Sequence, residues 1–133
     1  MKGTLSYMEN LIINKTKCTP LINFTFSSNT LEIKGESYPE NTSEFYEPVF
    51  EWLDKYLKKE INEKTIVNIE IIYFNSSSSK VLMDFFDIFE QAAEEGKNIE
   101  VNWRYDKEND MALEYGEEFK EDLESLKFNL VEI

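Results

Sequence analysis

The ten residues from Thr65 to Phe74, TIVNIEIIYF, constrain the fold of this chain more than any other segment. β-branched and aromatic side chains dominate the run, as they do in the strands of folded proteins. The residues expected on its buried face are Val67, Ile69, Ile71 and Tyr73. We therefore predict a long strand with one face packed against a core.

Two helices are predicted after this strand. Apolar side chains recur at three- and four-residue spacing over residues 80–95, and Gly96 follows as the expected C-terminal signal. A shorter pattern over residues 110–124 indicates another helix, which Gly116 interrupts. A strand over residues 99–105 lies between them.

An earlier helix is predicted to end near residue 59. The segment Ser-Tyr-Pro-Glu-Asn at 37–41 breaks the preceding strand pattern, and the helical spacing begins after it. Pro48 lies inside this pattern and removes one helical hydrogen bond. Either the helix kinks at Pro48, or a short turn at 42–46 precedes a main helix that starts there.

The remaining strands complete an α/β pattern. They are predicted at residues 11–14, 21–26, 30–34 and 128–131, with a polar turn at 27–29 that makes a hairpin. Strand–helix–strand units form right-handed parallel crossovers, so we expect a mixed sheet with an N-terminal hairpin followed by alternating helices and strands. Residues 11–133 are expected to form a single domain, and residues 1–10 an N-terminal extension.

The charge of the chain excludes several classes of partner. Its 27 acidic against 14 basic residues give a formal charge of −13, which repels nucleic acid and anionic membrane surfaces. No run approaches the ~20 apolar residues that span a bilayer, and the N-terminus lacks the apolar block of a signal peptide. With Cys18 as the lone cysteine, we expect a cytoplasmic protein without disulfides, in which Cys18 is a small packing residue.

Catalytic and cofactor-binding signatures are weak. The chain has no histidine, and its four glycines are too scattered to form a phosphate loop. Alternating carboxylates from Asp106 onward imitate a calcium loop, but Met111 stands where that loop needs glycine. We therefore expect no metal, no cofactor and no enzymatic activity.

Five polar residues, Asn75 and the serines 76–79, separate the central strand from the helix that follows. Their plainest role is to cap that helix. Ser77 and Lys80 also match the Ser-x-x-Lys pattern of acyl-serine enzymes, without its companion motifs. The hydroxyls lie at the positive end of a helix, which favours a phosphate there, but the spacing does not select one serine as a phosphorylation site.

Three segments together resemble one known family. They are Ser-Tyr-Pro-Glu-Asn at 37–41, Tyr-Phe-Asn-Ser-Ser-Ser-Ser-Lys at 73–80 leading into Leu-Met-Asp at 82–84, and Val-Asn-Trp-Arg-Tyr-Asp at 101–106. In this order and over residues 11–130, the chain resembles the SiaC family of regulatory phosphoproteins. The resemblance implies a fold similar to STAS-type anti-sigma-factor antagonists.

The resemblance also implies a function. SiaC-family proteins work in a partner-switching module with a Ser/Thr protein kinase and a phosphatase. They bind a diguanylate cyclase when unphosphorylated, promote cyclic-di-GMP synthesis, and are released by phosphorylation. The acceptor place of the family falls on Ser76, where known members can carry Thr. The expected partner-binding surface comprises Tyr38, Asn41, Asn75, Ser77, Lys80 and Asp84.

Other functions remain open from the sequence. The chain could antagonise an anti-sigma factor, or serve as an unmodified scaffold whose serines only cap a helix. An acyl enzyme that uses Ser77 and Lys80 would be labelled at Ser77 by an activated acyl ester, whereas a binding protein would not.

Overall fold

The fold is a six-stranded sheet with three helices, seen in a computed structural model that describes residues 8–133. The strands are β1 (Leu11–Ile13), β2 (Leu21–Thr25), β3 (Thr30–Ser37), β4 (Thr65–Phe74), β5 (Ile99–Tyr105) and β6 (Lys127–Glu132). The helices are α1 (Thr42–Leu57), α2 (Ser76–Glu94) and α3 (Asp110–Glu121). Within the described residues, no helix combines the length and hydropathy needed to cross a membrane.

The strands lie side by side in their order along the chain. β1, β2 and β3 pair antiparallel, and β3 to β6 pair parallel. Each parallel pair is joined through one helix, and right-handed crossovers in a constant direction place all three helices on one face of the sheet. This confirms the predicted α/β fold with its mixed sheet and N-terminal hairpin; the likeness to STAS domains stays a prediction.

The predicted N-terminal extension is described only in part. Residues 1–7 lie outside the described residues. The backbone carbonyl of Glu9 accepts a hydrogen bond from Trp52 Nε1 at 2.7 Å, and Asn10 Oδ1 accepts one from the backbone N–H of Phe26 at 2.9 Å. Residues 8–10 therefore contact the sheet and α1, although they belong to no strand.

A β-bulge interrupts the pairing of β3 with β4. Gly35 pairs with Ile71 and Glu36 pairs with Tyr73, so Ile72 is an extra residue on β4. An extra residue shifts the alternation of side chains by one position, and every later side chain on that strand changes face.

The bulge explains why one sequence prediction is wrong. Tyr73 was expected on the buried face, but its side chain is 49% exposed. Phe74 instead turns toward the core, where it is half-buried and its ring contacts Trp103, Tyr115 and Phe119. Alternation is reliable only up to the bulge.

The structure bears on two helix predictions. α1 is one helix from Thr42 to Leu57 with Pro48 inside it, so of the two alternatives at Pro48 the separate turn before a main helix is excluded. Pro48 is exposed, where water can satisfy the carbonyl that loses its donor. α3 passes through Gly116 without interruption and ends at Glu121.

Gly116 lies where α3 packs closely against β5. A Cβ atom at this position would lie 2.5 Å from Cδ1 and 2.7 Å from Nε1 of Trp103. The Trp103 indole is fully buried, and its Nε1 donates a hydrogen bond to the backbone carbonyl of Ala112 at 2.8 Å. The glycine is therefore a packing requirement and not a break in the helix.

Glu90 on α2 stabilises the loop between α3 and β6. Its carboxylate accepts hydrogen bonds from the backbone N–H groups of Glu124, Ser125 and Leu126, at 2.8 to 3.1 Å. Burial by itself would raise the pKa of Glu90, but the three N–H donors outweigh it and hold the pKa below the ordinary value. The ionised form therefore stabilises the fold.

Glu90→Gln should lower the free energy of unfolding by about 1 kcal/mol at neutral pH, because charged acceptors form stronger hydrogen bonds. Because folding lowers the pKa of Glu90, its carboxylate contributes fully to the free energy of unfolding above the usual glutamate pKa of about 4.3. This contribution is lost as the pH falls through the lowered pKa. Denaturant titrations from neutral to acidic pH should show the variant converging on wild type. A penalty independent of pH, or an equal loss in Glu94→Gln on the exposed side of α2, would contradict this.

Candidate functional site

α2 begins directly where β4 ends. Asn75 has an extended backbone and caps the helix, with its Oδ1 accepting a hydrogen bond from the backbone N–H of Ser78 at 3.0 Å. Ser76 is the first helical residue, so the prediction that the helix starts at Lys80 is wrong by one turn. Asparagine and serine cap helices about equally well, so the sequence did not show which of the five residues is the N-cap.

The four serines of the first turn differ in exposure. Ser76 and Ser77 are exposed, Ser79 is half-buried, and Ser78 is buried at 1%. The helical period turns Ser78 toward the sheet while its neighbours face outward. Four serines that the sequence does not distinguish therefore differ in exposure once the helix has formed.

Ser78 belongs to a chain of three buried hydroxyls. Its Oγ lies 2.7 Å from Ser37 Oγ, at the end of β3, and Ser37 Oγ lies 2.7 Å from the Tyr46 hydroxyl on α1. Burial raises the pKa of Tyr46 to about 12, against a smaller opposing effect of the Ser37 hydrogen bond. The phenol stays protonated at neutral pH, and the chain connects β3, α1 and α2 beneath the start of α2.

Ser77 links the first turns of two helices. Its Oγ lies 2.7 Å from Thr42 Oγ1, at the start of α1, and also donates to Asn75 Oδ1 at 3.2 Å. By contrast, Ser76 Oγ makes no hydrogen bond to any other residue between 8 and 133. Ser76 is the one hydroxyl of the turn that is both exposed and without such a bond among the described residues.

The position of Ser76 favours an anion electrostatically. The N-termini of α1 and α2 meet at the Thr42–Ser77 contact, and each helix dipole has its positive end there. Lys80 lies one turn into α2, but its Nζ is 4.0 Å from Asp84 Oδ1 and both side chains are largely exposed. Asp84 therefore offsets part of the Lys80 charge, and the two helix termini add positive potential beside it.

The residues predicted to bind a partner surround this helix start. Asn41 caps α1 by accepting from the backbone N–H of Glu44 at 3.0 Å, as Asn75 does on α2. Tyr38 follows β3 and its ring meets Tyr73 edge-on, with centroids 5.7 Å apart. Lys80 and Asp84 lie further along α2. Their role in partner binding stays a prediction.

Neither the acyl-serine pattern nor the segment that imitates a calcium loop has the geometry that its chemistry requires. The Ser77 hydroxyl is bonded to Asn75 and Thr42, and Lys80 pairs with Asp84, so Ser77 and Lys80 do not form a nucleophile–base pair. In the segment that imitates a calcium loop, Asp106 Oδ1 accepts from the backbone N–H of Glu108 at 2.8 Å. That segment is a turn leading into α3.

Sequence reasoning missed three contributors to the site. Ser37 was assigned to a loop motif, and neither Tyr46 nor Thr42 was singled out. Only the tertiary structure brings their hydroxyls to α2. The one sequence signal was Ser37, which belongs to the Ser-Tyr-Pro-Glu-Asn motif.

A family model and a relative both match most of this chain. Residues 13–133 match the family model described as SiaC family regulatory phosphoprotein. An uncharacterised protein of Pseudomonas aeruginosa strain UCBPP-PA14 is 34% identical over 115 residues, which is 86% of this chain and 90% of that protein.

Solved structures extend the match to the fold. SiaC of P. aeruginosa superposes with a TM-score of 0.86 at 31% identity, covering 95% of this chain and 100% of that one. A chain from the crystal structure of the P. aeruginosa diguanylate cyclase SiaD in complex with its activator SiaC gives a TM-score of 0.86 at 32% identity, covering 92% of this chain and 99% of that one. The chain belongs to the SiaC family of regulatory phosphoproteins.

Proposed function

We propose that this chain is a non-enzymatic switch protein whose phosphoacceptor is Ser76, and whose unphosphorylated form binds and activates a diguanylate cyclase. The observation that carries the proposal is the Ser76 hydroxyl, which is exposed and, among the described residues, unbonded at the start of α2. The complex of the cyclase SiaD with its activator SiaC supports the choice of target.

The geometry supports Ser76 over its neighbours for a kinase. A kinase must reach the hydroxyl and orient it, and Ser78 would have to leave its bond with Ser37 and become exposed. Ser77 would have to break its contact with Thr42. Ser76 requires neither change, and the family's threonine would present the same transferable hydroxyl.

The proposal includes the enzymes that set the switch. A cognate Ser/Thr kinase adds the phosphate and a phosphatase removes it, so the chain itself needs no catalytic group. The surface around Tyr38, Asn41, Asn75, Ser77, Lys80 and Asp84 would contact these proteins or the cyclase. A cytoplasmic location, in the same compartment as the kinase and the cyclase, is part of the proposal.

Phosphopeptide mapping after incubation with the cognate kinase should find phosphate on Ser76. Ser76→Ala should abolish incorporation, whereas Ser79→Ala, a change of the half-buried hydroxyl in the same helical turn, should leave it near wild type. Phosphate found mainly on Ser77 or Ser79 would refute the assignment.

The choice of target is tested separately. Addition of the unphosphorylated chain to the cyclase should raise cyclic-di-GMP synthesis, and no effect would exclude the cyclase as target.

A further inference from the structure

A groove of about 260 Å³ lies between α2 and α3, and on α2 it begins at Ser79. We call it the α2–α3 groove. Its apolar lining consists of Met83, Phe86, Tyr115, Phe119 and Leu123. Phe86 and Phe119 are buried and form the floor, whereas Met83 is 51% exposed. Apolar side chains grouped at a surface in this way mark a site of protein association.

The rim of the α2–α3 groove is negatively charged. Asp87, Glu118 and Asp122 line it and are exposed, and no lysine or arginine of the described residues is in the lining. Within residues 8–133 none of these three carboxylates is in an ion pair, so their charge is not compensated. The complementary partner surface is therefore a basic segment that carries an apolar side chain.

Ser76 stands at the end of this groove. Residues seven and eleven positions apart on a helix project in nearly the same direction, so Met83 and Asp87 follow Ser76 along one side of α2. Ser79 lies one turn from Ser76, which places their Cβ atoms ~5 to 6 Å apart. A phosphate on Ser76 would add about two negative charges to a surface that is already acidic.

The sign of that charge decides which partner suits the groove. A basic segment in the groove would bind the phosphorylated chain more tightly than the unphosphorylated one. The cyclase of the proposed function has the opposite preference, since phosphorylation releases it. The kinase must leave after it has added the phosphate. A phosphatase must bind the phosphorylated chain and leave once the phosphate is gone, which is the preference that an acidic groove beside Ser76 provides.

From these observations we infer that the α2–α3 groove is the docking surface of the phosphatase, which places an apolar side chain on the floor and basic residues against the acidic rim. This inference rests on the proposed function, in which the phosphatase transfers the phosphoryl group of Ser76 to water and restores the serine hydroxyl. Hydrolysis removes part of the negative charge that holds the phosphatase, so the product is released more readily than the substrate is.

Dephosphorylation of the Ser76-phosphorylated chain by its cognate phosphatase tests the inference. Met83→Ser should raise KM about tenfold or more and leave kcat unchanged, because docking contributes to binding and not to hydrolysis. Asp87→Asn combined with Glu118→Gln should raise KM by a similar factor, and this difference from wild type should shrink as the salt concentration rises. A nonspecific phosphatase, which needs no docking surface, should act on all of these variants as on wild type.

Two matched controls lie outside the groove lining. Met111→Ser changes a methionine that is 60% exposed near the start of α3. Glu117→Gln removes a charge from the exposed residue next to Glu118. Both controls should keep KM within about twofold of wild type, and thermal melting of every variant should stay within a few degrees of wild type.

The possible failures give different results. If the kinase places no phosphate on Ser76, the proposed function is wrong and this inference falls with it. If phosphate is incorporated at Ser76 but the groove variants are dephosphorylated with the KM of wild type, only the docking surface is wrong. An equal loss of cyclase binding or of phosphorylation by the kinase in Met83→Ser would also overturn the assignment to the phosphatase.

Discussion

Ser76→Asp is expected to weaken binding of the target protein by a thousandfold or more without unfolding the chain. A negative charge placed in an interface without a cationic partner costs several kcal/mol, and each ~1.4 kcal/mol is a factor of ten in affinity. The start of α2 tolerates the charge in the free protein, because a helix N-terminus stabilises an anion by about 0.3 to 2 kcal/mol. The penalty therefore appears on binding and not on folding.

Affinity and thermal melting should be measured together for wild type, Ser76→Ala and Ser76→Asp. Ser76→Ala should bind like unphosphorylated wild type and should stay bound after treatment with the kinase. Phosphorylated wild type should bind more weakly than Ser76→Asp, because a phosphate carries about two charges and a carboxylate carries one. If Ser76→Asp binds as tightly as wild type, or loses binding only because it melts tens of degrees lower, local charge is not the mechanism.

Gly116→Ala is expected to lower the free energy of unfolding by about 2 kcal/mol, since overpacking of a core costs ~1 to 3 kcal/mol. Helix propensity alone predicts the opposite sign, a gain of about 1 kcal/mol. The new methyl group would lie 2.5 Å from Trp103 Cδ1 and 2.8 Å from Leu130 Cδ2. The indole is fully buried and bonded to Ala112, so it cannot give way cheaply.

A double-mutant cycle with Trp103→Phe identifies the clash. Phenylalanine lacks Nε1 and has a smaller ring system, although it keeps a ring carbon near the position of Cδ1, so part of the clash is relieved. The cost of Gly116→Ala should therefore be smaller in the Trp103→Phe background, by about 1 kcal/mol, as is usual for residues in contact. Denaturant unfolding of the four proteins supplies the cycle. Stabilisation by Gly116→Ala in the wild-type background would show that α3 does not need its close approach to β5.

The sequence predicted best the elements in which one local pattern leaves no alternative. β4 was predicted with its observed bounds, Thr65–Phe74, and β5 likewise, because β-branched runs between polar segments leave few alternatives. The start of α2 was misplaced since five consecutive residues can each cap a helix. Pro48 left two alternatives open for α1, because the sequence does not show whether the carbonyl that loses its donor is exposed and can be hydrated.

The site was predicted less completely than the fold. Asn75 and Ser76 come from one stretch of sequence, so a motif is enough to single them out as candidates. The hydroxyl chain from Ser78 to Ser37 and Tyr46 joins three elements, and its donors are recognisable only after those elements have packed. The bulge at Ile72 depends on the register of β4 against β3, which no feature of β4 alone reveals.

The strand order has a consequence for how the chain reaches its native state. Every hydrogen-bonded strand pair joins strands that are consecutive along the chain; the parallel pairings bring together Thr30 with Ile66, Thr65 with Ile99, and Glu100 with Lys127. Each pairing therefore closes a loop no longer than one strand–helix–strand unit, and loop-closure entropy stays small. Parallel sheets are slow to fold when distant strands must find each other. Here each strand can add to a sheet edge that its predecessors have already formed, so the sheet can grow in the order in which a ribosome delivers the chain.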